Sequence, residues 1–76
     1  MSVEDRVKNV VVAVLKVDPD DVTAEKSFTE DLGAQSLQSI ELVAAFEEEF
    51  DIDMEEDEAL AVTTVGAAVE FIQKYL

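Results

Sequence analysis

The sequence predicts an all-α fold, a small four-helix bundle of three longer helices and a short third helix, with a long loop between helices one and two. Three observations lead there. Apolar residues recur at three- and four-residue spacings in separate windows, which places them on one face of a helix. No window shows the alternation of a half-buried strand. Turn and capping residues fall between the windows, at Asp18-Pro19, Asp31-Leu32-Gly33 and Thr63-Thr64.

The first helix is expected near residues 3 to 16, where Val3, Val7, Val10, Val11, Val14 and Leu15 share a face and Ser2 can cap the start. Asp18-Pro19-Asp20-Asp21 stops it, because proline cannot continue the hydrogen-bond ladder and aspartates favour turns. Residues 17 to 35 make too long a connection to hang free in so small a domain, so Val17, Val22, Phe28 and Leu32 are expected to anchor it. Ser27-Phe28-Thr29-Glu30 has capping-box spacing and marks a single turn.

The second helix is expected from Ser36 to about Phe50, and on a wheel at roughly 100° per residue its apolar residues separate into two faces. Leu42, Val43, Phe46 and Phe50 form a core stripe with Ser39 in their midst. Ser36, Leu37, Ile40, Glu41, Ala44, Glu47 and Glu48 occupy another sector, of roughly 140°. An apolar strip edged by carboxylates suits a transient protein docking site, although Leu37 and Ile40 could instead extend the core.

Carboxylates alternate along Asp51-Ile-Asp-Met-Glu-Glu-Asp-Glu58, as they do in a calcium loop, but that pattern needs Gly at its sixth position and Glu at its twelfth. Here those places hold Glu56 and Val62, so no specific metal site is read; weak divalent binding stays open. Ile52 and Met54 point inward, and Glu56 to Ala61 forms the short third helix. Thr63 or Thr64 caps a last helix carrying Val65, Ala68, Val69 and Ile72, with Phe71 and Tyr75 alongside. Gly66 falls in its first turn, where its helix penalty is small.

Composition bounds the function. A chain of 76 residues is read as one domain, residues 1–76, with a thin core and no histidine or cysteine. It therefore lacks the usual base near neutral pH, a sulfur nucleophile and the commonest zinc ligands, so an enzyme is not expected. With 19 acids against 5 bases the net charge is −14, and between Ser27 and Gln73 every charged side chain is acidic. Such a surface repels nucleic acid and anionic membrane and is steered toward basic patches on proteins, while a merely solubilising acidic face would have the same composition. The start has no secretory pattern and no stretch approaches the roughly 20 apolar residues of a membrane span, so a soluble, cytoplasmic, monomeric protein is expected.

Gly33-Ala34-Gln35-Ser36-Leu37 carries the strongest functional signal, because it puts Ser36 at a helix N-terminus. Unpaired N–H groups and the positive end of the helix dipole favour a phosphate on that oxygen.

Phe28-Thr-Glu-Asp-Leu-Gly-Ala-Gln-Ser-Leu37, continuing through Ile40-Glu-Leu-Val43 and Glu47-Glu-Glu-Phe-Asp51, resembles an acyl carrier protein. The likeness runs from Glu4-Asp-Arg-Val7 to Thr63-Thr-Val65 and Ala67-Ala-Val-Glu-Phe-Ile72. It implies that Ser36 receives 4′-phosphopantetheine from a phosphopantetheinyl transferase and that acyl chains are carried as thioesters. It also implies that Gln35, Leu37, Ile40, Glu41, Ala44, Glu47 and Glu48 meet acyl-transferring and acyl-modifying enzymes with basic docking patches. By the same resemblance Phe28, Phe46, Met54, Ala59, Val62, Ala68 and Phe71 line an acyl pocket.

The pattern departs from the family around the serine. Gln35 and Gln38 stand where acidic residues are usual, Ala44 replaces a larger apolar residue, and Phe46 stands where a smaller aliphatic is usual. These changes imply a specialised carrier; an ordinary fatty-acid carrier and a non-modified, carrier-shaped interaction module are the alternatives. Self-repulsion within so acidic a chain predicts that added salt or millimolar divalent cations raise Tm, and a Tm unmoved by either would show well-dispersed carboxylates.

Overall fold

The Ser2 hydroxyl accepts the Asp5 N–H at 3.1 Å and so opens helix α1, Val3–Leu15. In the computed structural model, which describes residues 1–76, a 3-10 turn (Pro19–Asp21) follows, then α2 (Ser36–Phe50), the short α3 (Glu56–Leu60) and α4 (Val65–Gln73). The extended structure amounts to one isolated antiparallel bridge, Ser27 with Thr64.

Helix α1 ends before its proline is reached. Lys16 adopts a left-handed conformation, φ 59°, and donates its N–H to the Val12 carbonyl at 2.9 Å. That is a helix-terminating geometry in its own right. Pro19 then serves as the first residue of the 3-10 turn, where its fixed φ is an advantage, with Asp18 Oδ1 accepting the Asp20 N–H at 2.9 Å.

The long connection is tied down as expected, with Val22, Phe28 and Leu32 buried and Val17 half-buried; Ala34 is buried as well. Ser27 Oγ accepts the Glu30 N–H at 3.2 Å, as in a capping box. The reciprocal acceptor for the Ser27 N–H is Asp31, at 2.7 Å, rather than Glu30. This turn closes through Asp31 because the Asp31 and Leu32 N–H groups both fold back on the Ser27 carbonyl. Glu25, earlier in the connection, accepts the Thr23 hydroxyl at 2.7 Å, and that bond holds its carboxyl below the usual range.

Three backbone bonds fasten the connection to the start of α4. Gly66 N–H donates to Ala24 O at 2.9 Å, Val65 N–H to Lys26 O at 3.0 Å, and Phe28 N–H to Thr63 O at 2.9 Å. A Cβ at Gly66 would lie 3.0 Å from the Ala24 carbonyl oxygen, so this glycine is a point of close backbone approach. Thr64 supplies the α4 cap, accepting the Ala67 N–H at 3.2 Å.

The core gathers Val7, Val10, Val11 and Leu15 from α1, Leu42, Phe46 and Phe50 from α2, and Val65, Ala68 and Ile72 from α4. Met54 is buried and Ile52 half-buried beneath the acidic stretch, whose carboxylates stay exposed. Arg6 clamps α1 to the end of α2. Its Nε donates to Glu49 Oε2 at 2.8 Å, its Nη2 to the Glu49 carbonyl at 2.6 Å, and the guanidinium sits 4.4 Å from the Phe50 ring centroid. Both charged groups are partly exposed, so the clamp owes more to the carbonyl bond and the stacking than to the ion pair.

Gly33, at φ +73°, turns the chain into α2 while the Ala34 N–H donates to Phe28 O at 2.8 Å. Gly33→Ala meets no side chain, so only backbone strain acts against it. We expect a loss of about 1 kcal/mol, seen as a fall of roughly 4–8 °C in Tm by thermal melting.

Candidate functional site

Ser36 is the first residue of α2, exposed, and its hydroxyl makes no hydrogen bond within the protein. The N–H groups of Ser36 and Leu37 likewise have no acceptor, as expected of a helix start. The first turn contains no acidic residue, so no carboxylate offsets the positive end of the dipole.

Gln35 is the N-cap residue in extended conformation, and its N–H donates to Gln38 Oε1 at 2.9 Å. Gln38 thus performs the acceptor half of a capping box, a role in which glutamine and glutamate are equivalent. The sequence signal was present in the three-residue spacing, but Gln38 reads first as a missing charge.

Leu37 and Ile40 are 69% and 53% exposed, which removes the alternative in which they extend the core. Ser36, Gln35, Glu41, Ala44 and Glu48 are exposed with them. Glu47 is only half-exposed, because its Oε2 accepts the Met54 N–H at 2.8 Å and so pins the chain leaving α2. A shallow groove continues from Ile40, Ala44 and Glu47 to Met54, Glu56 and Leu60. Leu60 and Glu56 are additions that α2 periodicity by itself cannot supply, since they come from α3.

Behind this face lies a cavity of about 90 Å³ between α2, α3, α4 and the long connection. Phe28, Phe46, Met54, Ala59, Val62, Ala68 and Phe71 converge on it, joined by Leu42, Val43, Leu60 and Ile72. Its polar lining residues are Thr29, Ser39 and Thr63. Ser39 lies one helical turn along α2 from Ser36, so the cavity and the candidate serine share one end of the helix. The cavity's α3 side is held by Glu47 on Met54 and by Tyr75, whose hydroxyl accepts the Glu55 N–H at 3.1 Å. Tyr75 in turn packs edge-on against Phe71, ring centroids 5.3 Å apart.

A serine becomes a nucleophile when a neighbouring base holds its proton. No group does so for Ser36, and the chain has no histidine to offer. The acidic residues bring no cluster of three or more metal-ligating groups together.

A family model described as the phosphopantetheine attachment site matches residues 5–72. The chain belongs to that phosphopantetheine-binding family. It is also similar in structure to a candidate acyl carrier protein (Rv0033) from Mycobacterium tuberculosis, with a TM-score of 0.91 and 27% identity over 99% of this chain and 100% of that one. The phosphopantetheine-binding domain is the site of covalent 4′-phosphopantetheine attachment, and its members of this fold are carriers rather than enzymes. The surroundings of Ser36 suit such a group: a free hydroxyl, unpaired backbone donors for a phosphate, and an apolar cavity one turn away.

Because Gln38 closes the cap, Gln38→Ala in this phosphopantetheine-binding domain should cost about 1 kcal/mol and lower Tm by roughly 4–8 °C. Gln38→Glu keeps the acceptor and should leave Tm near that of the unmodified sequence. Thermal melts of both variants check the pair, and equal losses would assign the effect to something other than the cap.

Proposed function

We propose that residues 1–76 form an acyl carrier domain in which Ser36 Oγ is the attachment oxygen for 4′-phosphopantetheine, transferred from coenzyme A by a phosphopantetheinyl transferase. The exposed, unpartnered serine at the start of α2, inside the matched segment, carries this reading. When bound, the group supplies the thiol that a cysteine-free chain lacks and holds acyl chains there as thioesters. Ser36 positions the phosphodiester, and the free N–H groups of Ser36 and Leu37 stabilise its charge.

Partner enzymes read the outer face of α2. Leu37, Ile40 and Ala44 supply apolar contact, and Glu41, Glu47 and Glu48, with Gln35 at the edge, meet basic patches. The net charge of −14 supports protein partners over nucleic acid or membrane. A monomer working in the cytoplasm is consistent with this face being kept free for successive enzymes. The seven cavity residues led by Phe28 and Phe46 shelter the acyl chain between encounters.

The carrier serves fatty acid biosynthesis or a related, dedicated lipid or acyl pathway, and Gln35, Gln38 and Ala44 favour the dedicated role. They remove carboxylates beside Ser36 and flatten the strip, and each rim ion pair is worth about 0 to 1 kcal/mol in choosing between partners. Equal turnover with fatty-acid synthase enzymes beside a standard carrier, in a competition assay, would count against that role.

Incubation with coenzyme A and a broad-specificity transferase should add one phosphopantetheinyl unit by intact mass, and Ser36→Ala should abolish the addition. No addition to the unmodified sequence would leave the non-modified interaction module as the better reading. An addition that survives Ser36→Ala would move the site elsewhere.

A further inference from the structure

The reading of Ser36 as an attachment point leaves the cargo open among fatty-acyl, aminoacyl and polyketide units, and the cavity beside it bears on the size and charge of what it can enclose. Its free volume is about 90 Å³. An apolar cavity of roughly 150 Å³ accommodates one benzene ring, so by proportion this one has room for about four carbon atoms. No lining residue is charged, and the hydroxyl residues Thr29, Ser39 and Thr63 are the only polar ones. A carboxylate or ammonium carried into such a space loses its hydration with no ion to pair with, which costs far more than burial of the accompanying methylenes returns.

The walls are braced against enlargement. Phe46 is 5% exposed and belongs to the α2 core stripe, so its ring cannot swing outward without opening the core. Phe71 is backed by Tyr75, and the Tyr75 hydroxyl is itself bonded to the Glu55 N–H ahead of α3. A longer chain would have to displace this ring pair and break that bond. Shortening either ring would lengthen the cavity without adding a polar group.

We propose that the cavity takes a short, uncharged aliphatic acyl chain of about four carbons, and that Phe46 and Phe71 set that limit. The inference rests on attachment at Ser36. Aminoacyl and dicarboxylic acyl groups, by the same reasoning, stay outside on the arm, and long fatty chains are only partly enclosed.

The test uses the full chain loaded by a transferase from coenzyme A analogues whose acyl groups are joined by a stable amide: acetyl, butyryl, hexanoyl, octanoyl, dodecanoyl and succinyl. Intact mass is read first, then Tm. We expect butyryl to raise Tm over acetyl by roughly 4 °C or more, with no further rise at octanoyl or dodecanoyl. Succinyl, a four-carbon unit like butyryl but ending in a carboxylate, should leave Tm at the acetyl value. Phe46→Leu and Phe71→Leu should each move the highest Tm to hexanoyl or octanoyl; Phe71 is half-buried, so its variant keeps the test alive if Phe46→Leu does not fold.

A Tm that climbs steadily through dodecanoyl overturns the inference, as does equal stabilisation by succinyl and butyryl. A highest Tm left at butyryl in a folded Phe71→Leu variant overturns the assignment of the limit to the rings. Failure to load at Ser36 overturns the attachment reading and this one with it, whereas normal loading followed by a flat melting series overturns this one alone.

Discussion

The structure depends on the seam where the connection after α1 lies against the head of α4. Phe28, Lys26 and Ala24 meet Thr63, Val65 and Gly66 through successive backbone hydrogen bonds. A connection of that length would otherwise expose its polar backbone to water and leave its apolar side chains without a place in the core. Fastened there, it buries Val22, Phe28, Leu32 and Ala34 and delivers the chain to Gly33 in the orientation that starts α2. The same seam supplies Phe28 and Thr63 to the cavity wall, so the serine's position and the cavity's shape share one origin.

Two further contacts divide labour along α2. At its C-terminal end Arg6 holds the Glu49 carbonyl and stacks on Phe50, locking α2 to α1. In the same last turn Glu47 accepts the Met54 N–H and folds the departing chain back under the helix. The N-terminal end is left with no such tie beyond the Gln35–Gln38 cap. On the proposed reading, a partner enzyme meets a helix tied down at its C-terminal end, whose first turn still has free donors and a free hydroxyl. The acidic surface is spread over exposed positions, so it steers encounters without demanding buried charge.

Much of this was legible from spacing. The limits of α2, the capping by Ser2 and Thr64, and the inward side chains of α1 and α4 follow from periodicity and capping chemistry, which act within a few residues. Two positions escape such short-range rules. Pro19 reads as the helix terminator, yet Lys16 ends α1 in a left-handed conformation that no residue-type rule assigns to lysine. Gly66 reads as a small helical cost, yet its lack of Cβ admits the Ala24 carbonyl, a contact between segments far apart in the chain.

The all-α class, the serine at a helix start, the two-faced second helix and the family to which the chain belongs are all readable from residue order. Those properties are written in short-range patterns and in residue types. Packing of the helices settles that Leu37 and Ile40 face solvent, that Glu47 is partly spent on Met54, and that Leu60 and Glu56 extend the outer groove. It also decides how much room the cavity leaves between Phe46, Phe71 and their braces. A helix wheel orders side chains around one axis, but free volume and exposure are set by how several helices close on one another, and that closure is a property of the packed whole.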